Sequence, residues 1–580
     1  MAEHNRQLAR IFDQMAQLVE VLGGNRFRVG AFEKASRVLG ELPNDISQYD
    51  RTRLTDIDGI GQGTADRIVE FLDTGQIDEH QKLLADVPAG LLDVLAIPGV
   101  GPKSVATLWR QGGVTDLASL KQKLETGELE DLPRMGKKTL DNINASLAFA
   151  QAAGARRRIG EALPLARWFV DKLRGLKQVN DAAYAGSLRR GCETIGDIDL
   201  IVCADAGDAR NISDLFVAFD GVTDVLLKGQ TKTSVRTEPG LQVDLRIIEP
   251  AAYGAALIYF TGSKAHNIRL RERAIAQGYK LSEYGLFNGE ADGAKRVAGE
   301  TEREVYDKLG LAWIEPELRE DHGEIALAAK GTLPALVELK HIQSELHTHT
   351  TASDGHWSIR ELALAVADRG FHTLAVTDHS RSQVQANGLT ASRLEEHVAA
   401  VREAAAELDG RIRLLAGAEV DILSDGKLDY PDSVLATLDV VVASPHAALS
   451  QEPAKATRRL LKAIENRYVT ILGHPTGRLV NRREGLHPDI KQVAAAAAQR
   501  GIAVEVNANH HRLDLRDVHA RVALEAGCKL AINTDAHGHA DLDQLVYGVL
   551  TARRAGATRQ DVVNTFNKAA LTKWLKSTRK

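Results

Sequence analysis

The stretch Gly186–Val202, GSLRRGCETIGDIDLIV, carries two aspartates, Asp197 and Asp199, at the entrance to an otherwise apolar run. Strand alternation sends Asp197 and Asp199 to one face and Ile198, Leu200 and Val202 to the other. Farther on, GLQVDLRII (240–248) alternates strictly, with Gln242, Asp244 and Arg246 opposite Leu241, Val243, Leu245 and Ile247. The turn signal EPG at 238–240 makes this the second arm of a hairpin. If the two strands are neighbours in one sheet, three carboxylates converge. Like charges side by side are costly, so such a site needs divalent cations. A pair of Mg²⁺ ions about 4 Å apart stabilises the attacking and leaving oxygens of phosphoryl transfer. The plainer reading is surface aspartates at a strand start. Gly186, Ser187, Arg189 and Arg190 argue against it, because they offer backbone amides, a hydroxyl and guanidinium groups to a triphosphate.

At 580 residues the chain is too long for one core, and its 44% hydrophobic and 26% charged residues are those of an ordinary globular protein. The N-terminus, MAEHNRQLARIFDQ, has no apolar stretch of signal-peptide type, and no window approaches the ~18 apolar residues of a membrane helix. A cytoplasmic, nucleoid-associated protein with no membrane partner is expected. Cys192, Cys203 and Cys528 are scattered and outside any CxxC spacing, which argues against a disulfide framework or thiolate zinc site. A net charge of −5 means that nucleic acid must be held by local patches and backbone amides. Of 19 histidines only His4, His80, His266 and His322 precede residue 341, so chemistry is divided along the chain.

The first 150 residues read as short helices between glycine turns, with a repeated pattern: DIDGIGQGTADRIVEFL from Asp56 and LAIPGVGPKSVATLWRQ from Leu95. Each is a hydrophobe, Gly-x-Gly, then an amphipathic helix. Such a turn exposes backbone amides that approach a phosphate directly or through a bound K⁺ or Na⁺. Tight turns between packed helices would explain one copy; two copies favour helix-hairpin-helix modules that grip the DNA backbone without reading sequence. Gly59, Gly61, Gly99 and Gly101 form their centres, with Lys103, Lys137 and Lys138 as nearby phosphate contacts.

The hairpins, the Gly-Ser pair with GDIDLIV, the strand VDLRI and YFTGSKAHNIRLRERA from Tyr259 together resemble the nucleotidyltransferase fold of the family X DNA polymerases, over residues 1–316 in order. The resemblance implies that Asp197 and Asp199 bind two Mg²⁺ or Mn²⁺ ions and that Asp244 is the third ligand, placed to activate a primer 3′-hydroxyl. It assigns Gly186, Ser187, Arg190 and Gly196 to the triphosphate, Tyr259, Phe260 and Gly262 to the sugar pocket, and Asn267 and Arg271 to the minor-groove side of the nascent pair. Two positions depart from the pattern. Lys264 stands where vertebrate repair members carry an acidic residue that contacts the incoming base. Arg67 aligns with the lysine that forms a Schiff base in the beta-type enzymes; an arginine stays protonated and cannot serve as that amine, and Lys34 nearby is a weak substitute.

A mixed acidic, Gly- and Pro-containing segment around 317–340 reads as a linker with some helix, long enough to let two domains share one DNA. Beyond it, strand-like runs SELHTHT, TLAVTDHS, RLLAGAEVDI, LDVVVASPHA, VTILGHP, IAVEVNA and KLAINTDAHG mostly alternate with helical patterns, seven β-α units that close naturally as a parallel barrel. Nearly every strand ends in a metal-ligand type: His347 and His349, His379, Glu419, His446, His474, then Asp535 and His537. Barrel strands present their C-terminal ends to one mouth. Histidines mixed with carboxylates suit Zn²⁺, Mn²⁺ or Fe ions; so many ligands imply two or three ions and hydrolysis of a phosphoester. The motifs HTHTTASDG, TDHS, SPH, GHP and NTDAH resemble the PHP (polymerase and histidinol phosphatase) domain, which implies Asp354 as a ninth ligand and Glu419 or Asp535 as a bridge between ions. His510 and His511 lie near the strand end after Asn507, within possible reach of that mouth.

The expected architecture is therefore multidomain: N-terminal all-α helix-hairpin-helix domains (1–82 and 83–155), an α+β nucleotidyltransferase palm (156–250), a thumb subdomain that binds the nascent base pair (251–316), a linker (317–340) and an α/β distorted (βα)7 PHP barrel (341–580). The combination resembles bacterial family X polymerases that end in a PHP domain. It implies gap-filling synthesis in DNA repair, with deoxynucleoside triphosphates and gapped or primed DNA as partners. It also implies 3′-to-5′ exonuclease, with abasic-site or 3′-end cleavage as a further option, by a monomer. The alternatives are a small-molecule phosphatase of histidinol-phosphate type and a DNA-binding scaffold with a silent polymerase site.

Overall fold

The computed structural model describes residues 3–41, 45–57, 59–95, 97, 100–133, 135–136, 139–141, 143–144, 156–229, 231–238, 240–289 and 295–579. The chain divides into two units, residues 1–154 and 155–580.

In the first unit the amphipathic repeats form helices including Glu3–Val21, Arg26–Glu41, Gln62–Thr74, Pro102–Arg110 and Leu117–Thr126. One apolar cluster runs from Leu8 and Phe12 through Ile68 to Leu108 and Leu120, so both hairpin repeats share a core.

The second unit begins with the helix Ile159–Arg174 laid on a five-stranded sheet. The strand order is Asp181–Tyr184, Asp197–Cys203, Gln242–Ile248, Lys232–Thr237, Val222–Lys228. Lys232–Thr237 and Gln242–Ile248 form the expected antiparallel hairpin, and Asp197–Cys203 runs parallel to its second arm. Alternation fixes the faces: Ile198, Leu200, Val243 and Leu245 join the core beneath Ile159–Arg174. The helices Tyr253–Thr261 and Lys264–Ala276 and a three-stranded sheet (Tyr279–Ser282, Gly285–Asn288, Arg296–Ala298) follow, packed with the helix Glu302–Lys308.

Residues 317–340 do contain a helix, Glu324–Lys330, but they are packed against their surroundings rather than extended as a spacer. Arg319 is fully buried, donating to Ile314 O and to Glu302, and Leu336 bridges to Thr558 of the C-terminal part. The charges that give this segment a linker-like composition are used in ion pairs: Arg553 holds Glu315 and Glu317, and Arg554 holds Glu320.

All seven C-terminal runs form strands, and they pair in sequence order as one parallel sheet from Ser344–Glu345 to Lys529–Asn533. A parallel bridge between Thr348 and Ala536 brings the first strand to the last, so the barrel is nearly closed. Among the described residues no helix is long and apolar enough to cross a membrane.

Candidate active sites

Strand register places Asp199 directly opposite Asp244 across the parallel pair, with Asp197 at the exposed start of the same strand. Gly186 lies against this cluster: a Cβ on it would stand 2.6 Å from Asp199 Oδ2, and its φ of +64° is one that a side chain disfavours. Burial, then the charges of Asp197 and Asp244, push the Asp199 carboxyl up to about 6. Asp244 behaves oppositely. Burial would raise it, but Lys232 Nζ 2.6 Å from Oδ2 and Gln242 Nε2 donating to Oδ1 hold it below the usual carboxylate range. Three crowded carboxylates, one of them reluctant to ionise alone, are a donor set that fits hard divalent cations.

Around this centre Arg190 donates from Nη1 to Thr261 O, and that nitrogen lies 3.2 Å from where a Gly262 Cβ would be. A Cβ on Gly196 would meet Arg156 Nη1 at the same distance. Ser187 is the second residue of the single turn Gly186–Arg189 that precedes the strand. Tyr259, Asn267 and Arg271 line one pocket, with Asn267 Nδ2 donating to Tyr259 O. Phe260 lies under the Arg246 guanidinium, 4.3 Å from ring centroid to charge, and edge-on to Tyr259. Lys264 opens the next helix and is exposed.

The second centre is the barrel mouth. Three overlapping groups place ligand atoms within 4.8 Å of one another: His349, Asp354, His379 and His537; His347, His349, Glu419 and Asp535; His379, Glu419 and His446. Glu419 belongs to two of them and is fully enclosed. His474 Nε2 and His379 Nδ1 stand 2.7 and 2.8 Å from its oxygens, and His446 Nε2 3.3 Å. None of these nitrogens, nor either Glu419 oxygen, makes a hydrogen bond. Buried polar atoms left unbonded at such short range are aimed at shared points rather than at each other, which fits ions held by imidazole and carboxylate donors. Asp535 sits at φ +55°, a left-handed conformation that aspartate tolerates better than most residues.

In the helical unit the two repeats are built alike. Ile60 N donates to Ile57 O and Val100 N to Ile97 O; Gly61 and Gly101 then cap the helices Gln62–Thr74 and Pro102–Arg110. A Cβ on either capping glycine would meet nothing within 4 Å, so the backbone is open to a ligand. Gly59, at φ +99°, abuts the Lys34 side chain. Lys103 is exposed, with Glu20 at 3.8 Å. Gly99, Lys137 and Lys138 lie outside the described residues. Arg67 is ion-paired to Glu79 and stacked over Phe32, which leaves it as ill-suited to amine chemistry as its side chain type suggests.

Comparison with known proteins matches these parts one by one. A helix-hairpin-helix domain model matches residues 3–77, a SAM-like helix-hairpin-helix tandem 91–148, a DNA polymerase beta thumb 256–320 and a PHP domain 345–509. The chain is 38% identical over 563 residues to the DNA polymerase/3′-5′ exonuclease PolX of Bacillus subtilis (strain 168), covering 97% of each. It belongs to the PolX family. Partial likenesses fall on either side. DNA polymerase lambda of Arabidopsis thaliana is 27% identical over 54% of this chain and 62% of its own length. A probable phosphatase of Thermoanaerobacter sp. (strain X514) is 30% identical over 38% of this chain and 89% of its own.

Several residues of this chain that bear on the sites were not singled out by sequence. Glu505, fully buried, accepts from His474 N at Oε2, while its Oε1 lies 2.8 Å from His347 Nδ1 and accepts from Asn533 Nδ2. Asp421 holds His446 Nδ1, and Asp378 shapes the Thr350–Asp354 loop through Thr350 and Ser353 while pairing with His397. Lys232 at Asp244 is the corresponding omission in the sheet. Asp378 and Glu505 each carried a signal, a charge inside TDHS and inside IAVEVNA. His510 and His511 do not join the ligand groups; His511 meets Arg158 and His510 sits edge-on to Tyr547, at the seam between barrel and palm.

Proposed function

We propose that this protein fills short gaps in DNA during repair by template-directed nucleotide addition, and removes nucleotides from 3′ ends with its barrel. The observation that carries the reading is the pairing of two separate donor sets in one chain: Asp197, Asp199 and Asp244 on adjoining strands, and at the barrel mouth eight clustered residues from His347 to His537, with His474 as a ninth against Glu419. The family resemblance supports the division of labour.

Asp197, Asp199 and Asp244 would hold two Mg²⁺ or Mn²⁺ ions, which when bound neutralise the triphosphate and stabilise the attacking and leaving oxygens. Asp244, kept ionised by Lys232 and Gln242, accepts the proton of the primer 3′-hydroxyl. Gly186, Ser187, Arg190 and Gly196 bind the triphosphate; Tyr259, Phe260 and Gly262 pack the sugar, and Asn267 and Arg271 read the minor-groove edge of the new pair. At the mouth, His347, His349, Asp354, His379, Glu419, His446, His474, Asp535 and His537 would hold two or three Zn²⁺, Mn²⁺ or Fe ions, which activate water and neutralise a phosphodiester. Gly59, Gly61, Gly101 and Lys103, with Gly99, hold the DNA backbone, through a K⁺ or Na⁺ ion at each hairpin. Domain boundaries near residues 82, 155, 250, 316 and 340 follow from these roles, in a monomer working at the cytoplasmic nucleoid. Abasic-site or 3′-end cleavage would use the same barrel donors.

The test is a 5′-labelled primer on a one-nucleotide-gapped duplex with Mn²⁺. Extension with deoxynucleoside triphosphates and ladder-like shortening without them is the expected result. No extension overturns the polymerase half; no shortening overturns the exonuclease half.

A further inference from the structure

The loop that leads from Arg190 to Asp197 belongs to the polymerase palm, yet the barrel holds it from two sides. On one side Arg554, the last residue of the barrel helix Leu545–Arg554, donates from Nη1 to Arg190 O at 2.8 Å. The same Arg554 nitrogen donates to Glu320 Oε1 at 2.8 Å, and that oxygen accepts from Arg190 Nε at 2.9 Å. Arg554 is itself fixed by Asp517. All three side chains of the chain Arg190–Glu320–Arg554 are 18% exposed or less. Gly191 closes the contact: a Cβ there would lie 3.2 Å from Leu550 Cβ, so the loop backbone rests on the barrel helix itself. On the other side Glu193 is clamped by Arg478 and Arg516. Arg478 stands in the loop that follows the barrel ligand His474.

An arginine has many rotamers, and a free one loses that freedom when it meets a triphosphate. Two of the five N–H donors of Arg190 are already committed to fixed protein partners, Nε to Glu320 and one of Nη1 to Thr261 O, and Nη2 lies 4.0 Å from Cys192 Sγ. Its position is therefore set before substrate arrives, and the partner that sets it is anchored in the other catalytic half. Charge matters as well as place. Glu320 lies between two guanidinium groups, so losing its carboxylate leaves two largely buried cations facing one another.

We propose that Glu320 and Arg554 are positioning residues for nucleotide binding, through which the barrel presets Arg190 in the polymerase site. The proposal rests on the polymerase reading of Arg190 and adds a specific dependence between halves that otherwise carry separate chemistry. It concerns the barrel as scaffold and not its ions, so loss of barrel ligands leaves it intact.

The experiment measures single-nucleotide insertion on a gapped duplex by the full-length chain, wild type beside Glu320→Gln, Arg554→Met, the double variant and Arg554→Lys. The 3′-to-5′ digestion rate and melting temperature of each preparation are read in parallel. Glu320→Gln and Arg554→Met are each expected to raise KM for the nucleotide about tenfold, with kcat changed less than about threefold, in keeping with loss of a charge-assisted hydrogen bond. The double variant should be no worse than the poorer single one, because both act through one chain of contacts. Arg554→Lys should recover part of the loss, and digestion should match wild type throughout. An unchanged KM, a strictly additive double variant, or a fall in digestion and melting temperature that parallels insertion would each overturn the proposal. A wild type that inserts nothing would instead overturn the polymerase reading on which it stands.

Discussion

Asp199 and Asp244 are direct neighbours across two parallel strands, and Gly186 leaves no space beside Asp199 for even a methyl group. The carboxylate is thus pressed between a like charge and a backbone. Gly186→Ala should reduce primer extension as severely as Asp199→Asn, by about 10³-fold, equivalent to about 4 kcal/mol of lost transition-state stabilisation. Single-turnover insertion on a gapped duplex reads this, with digestion by the same preparations unaffected; a Gly186→Ala enzyme of near-normal rate would show that the close approach is not needed.

Glu419 gathers five imidazoles, those of His347, His349, His379, His446 and His474. Glu419→Gln keeps the shape and removes the charge that lets those rings share cations. Digestion should fall to background and bound transition metal, read by elemental analysis of purified protein, should drop by at least one equivalent, while primer extension persists. Retention of full metal content would remove Glu419 from the ligand set.

Much of this was readable from periodicity. The alternation in DIDLIV and QVDLRI fixed two strands and the face on which their aspartates lie, and the histidines at barrel strand ends stood out because an apolar strand has no other use for them. Two kinds of feature escaped. Barrel strands are buried on both faces, so alternation does not say whether Glu505 points to the mouth or to a helix. Ion pairs such as Glu193 with Arg478 or Glu320 with Arg554 join residues far apart in sequence and leave no spacing to detect. The same blindness made 317–340 look like a tether, since composition cannot distinguish solvated charges from paired ones.

Glu505 offers a test of the layer behind the ligands. It orients His347 through Nδ1 and receives His474 N, so it acts on two ligands without joining the ligand groups. Glu505→Gln should weaken metal binding by roughly 10- to 100-fold while the protein stays folded, so that digestion is restored by added Mn²⁺. Activity that no Mn²⁺ concentration restores would place Glu505 in the reaction itself.

Glu302 links the thumb to acid stability. Burial alone would raise its carboxyl, but Arg319 and Arg189 overcome this and bring it down to about 2. A depressed carboxyl contributes stability that is present above its unfolded value near 4.5 and lost as pH falls toward 2. The shift corresponds to about 3 kcal/mol. Glu302→Gln should therefore destabilise the chain at neutral pH, by a similar amount because Arg319 is left buried with its charge unmatched. Its stability should also vary less than that of wild type between pH 4.5 and 2, which denaturant midpoints at stepped pH would measure.

Gly61 and Gly101 cap equivalent helices with open space where a side chain would stand. Among the described residues nothing stands within 4 Å of a side chain's first carbon at either position, so the cost of adding one is expected to come from what approaches from outside. Gly61→Val and Gly101→Val are expected to leave the melting temperature close to wild type and to weaken binding to gapped duplex several-fold each, with little dependence on sequence. Each lost backbone contact to a phosphate is made by neutral amides or through a monovalent cation. The slope of log affinity against log salt should therefore change less than it would for removal of a lysine, which shifts it by about one. If the affinity loss vanished when K⁺ and Na⁺ were replaced by a bulky organic cation, the contact would run through a bound ion; if it persisted, the amides touch the phosphate directly. Unchanged binding in both variants would remove the hairpins from the DNA interface.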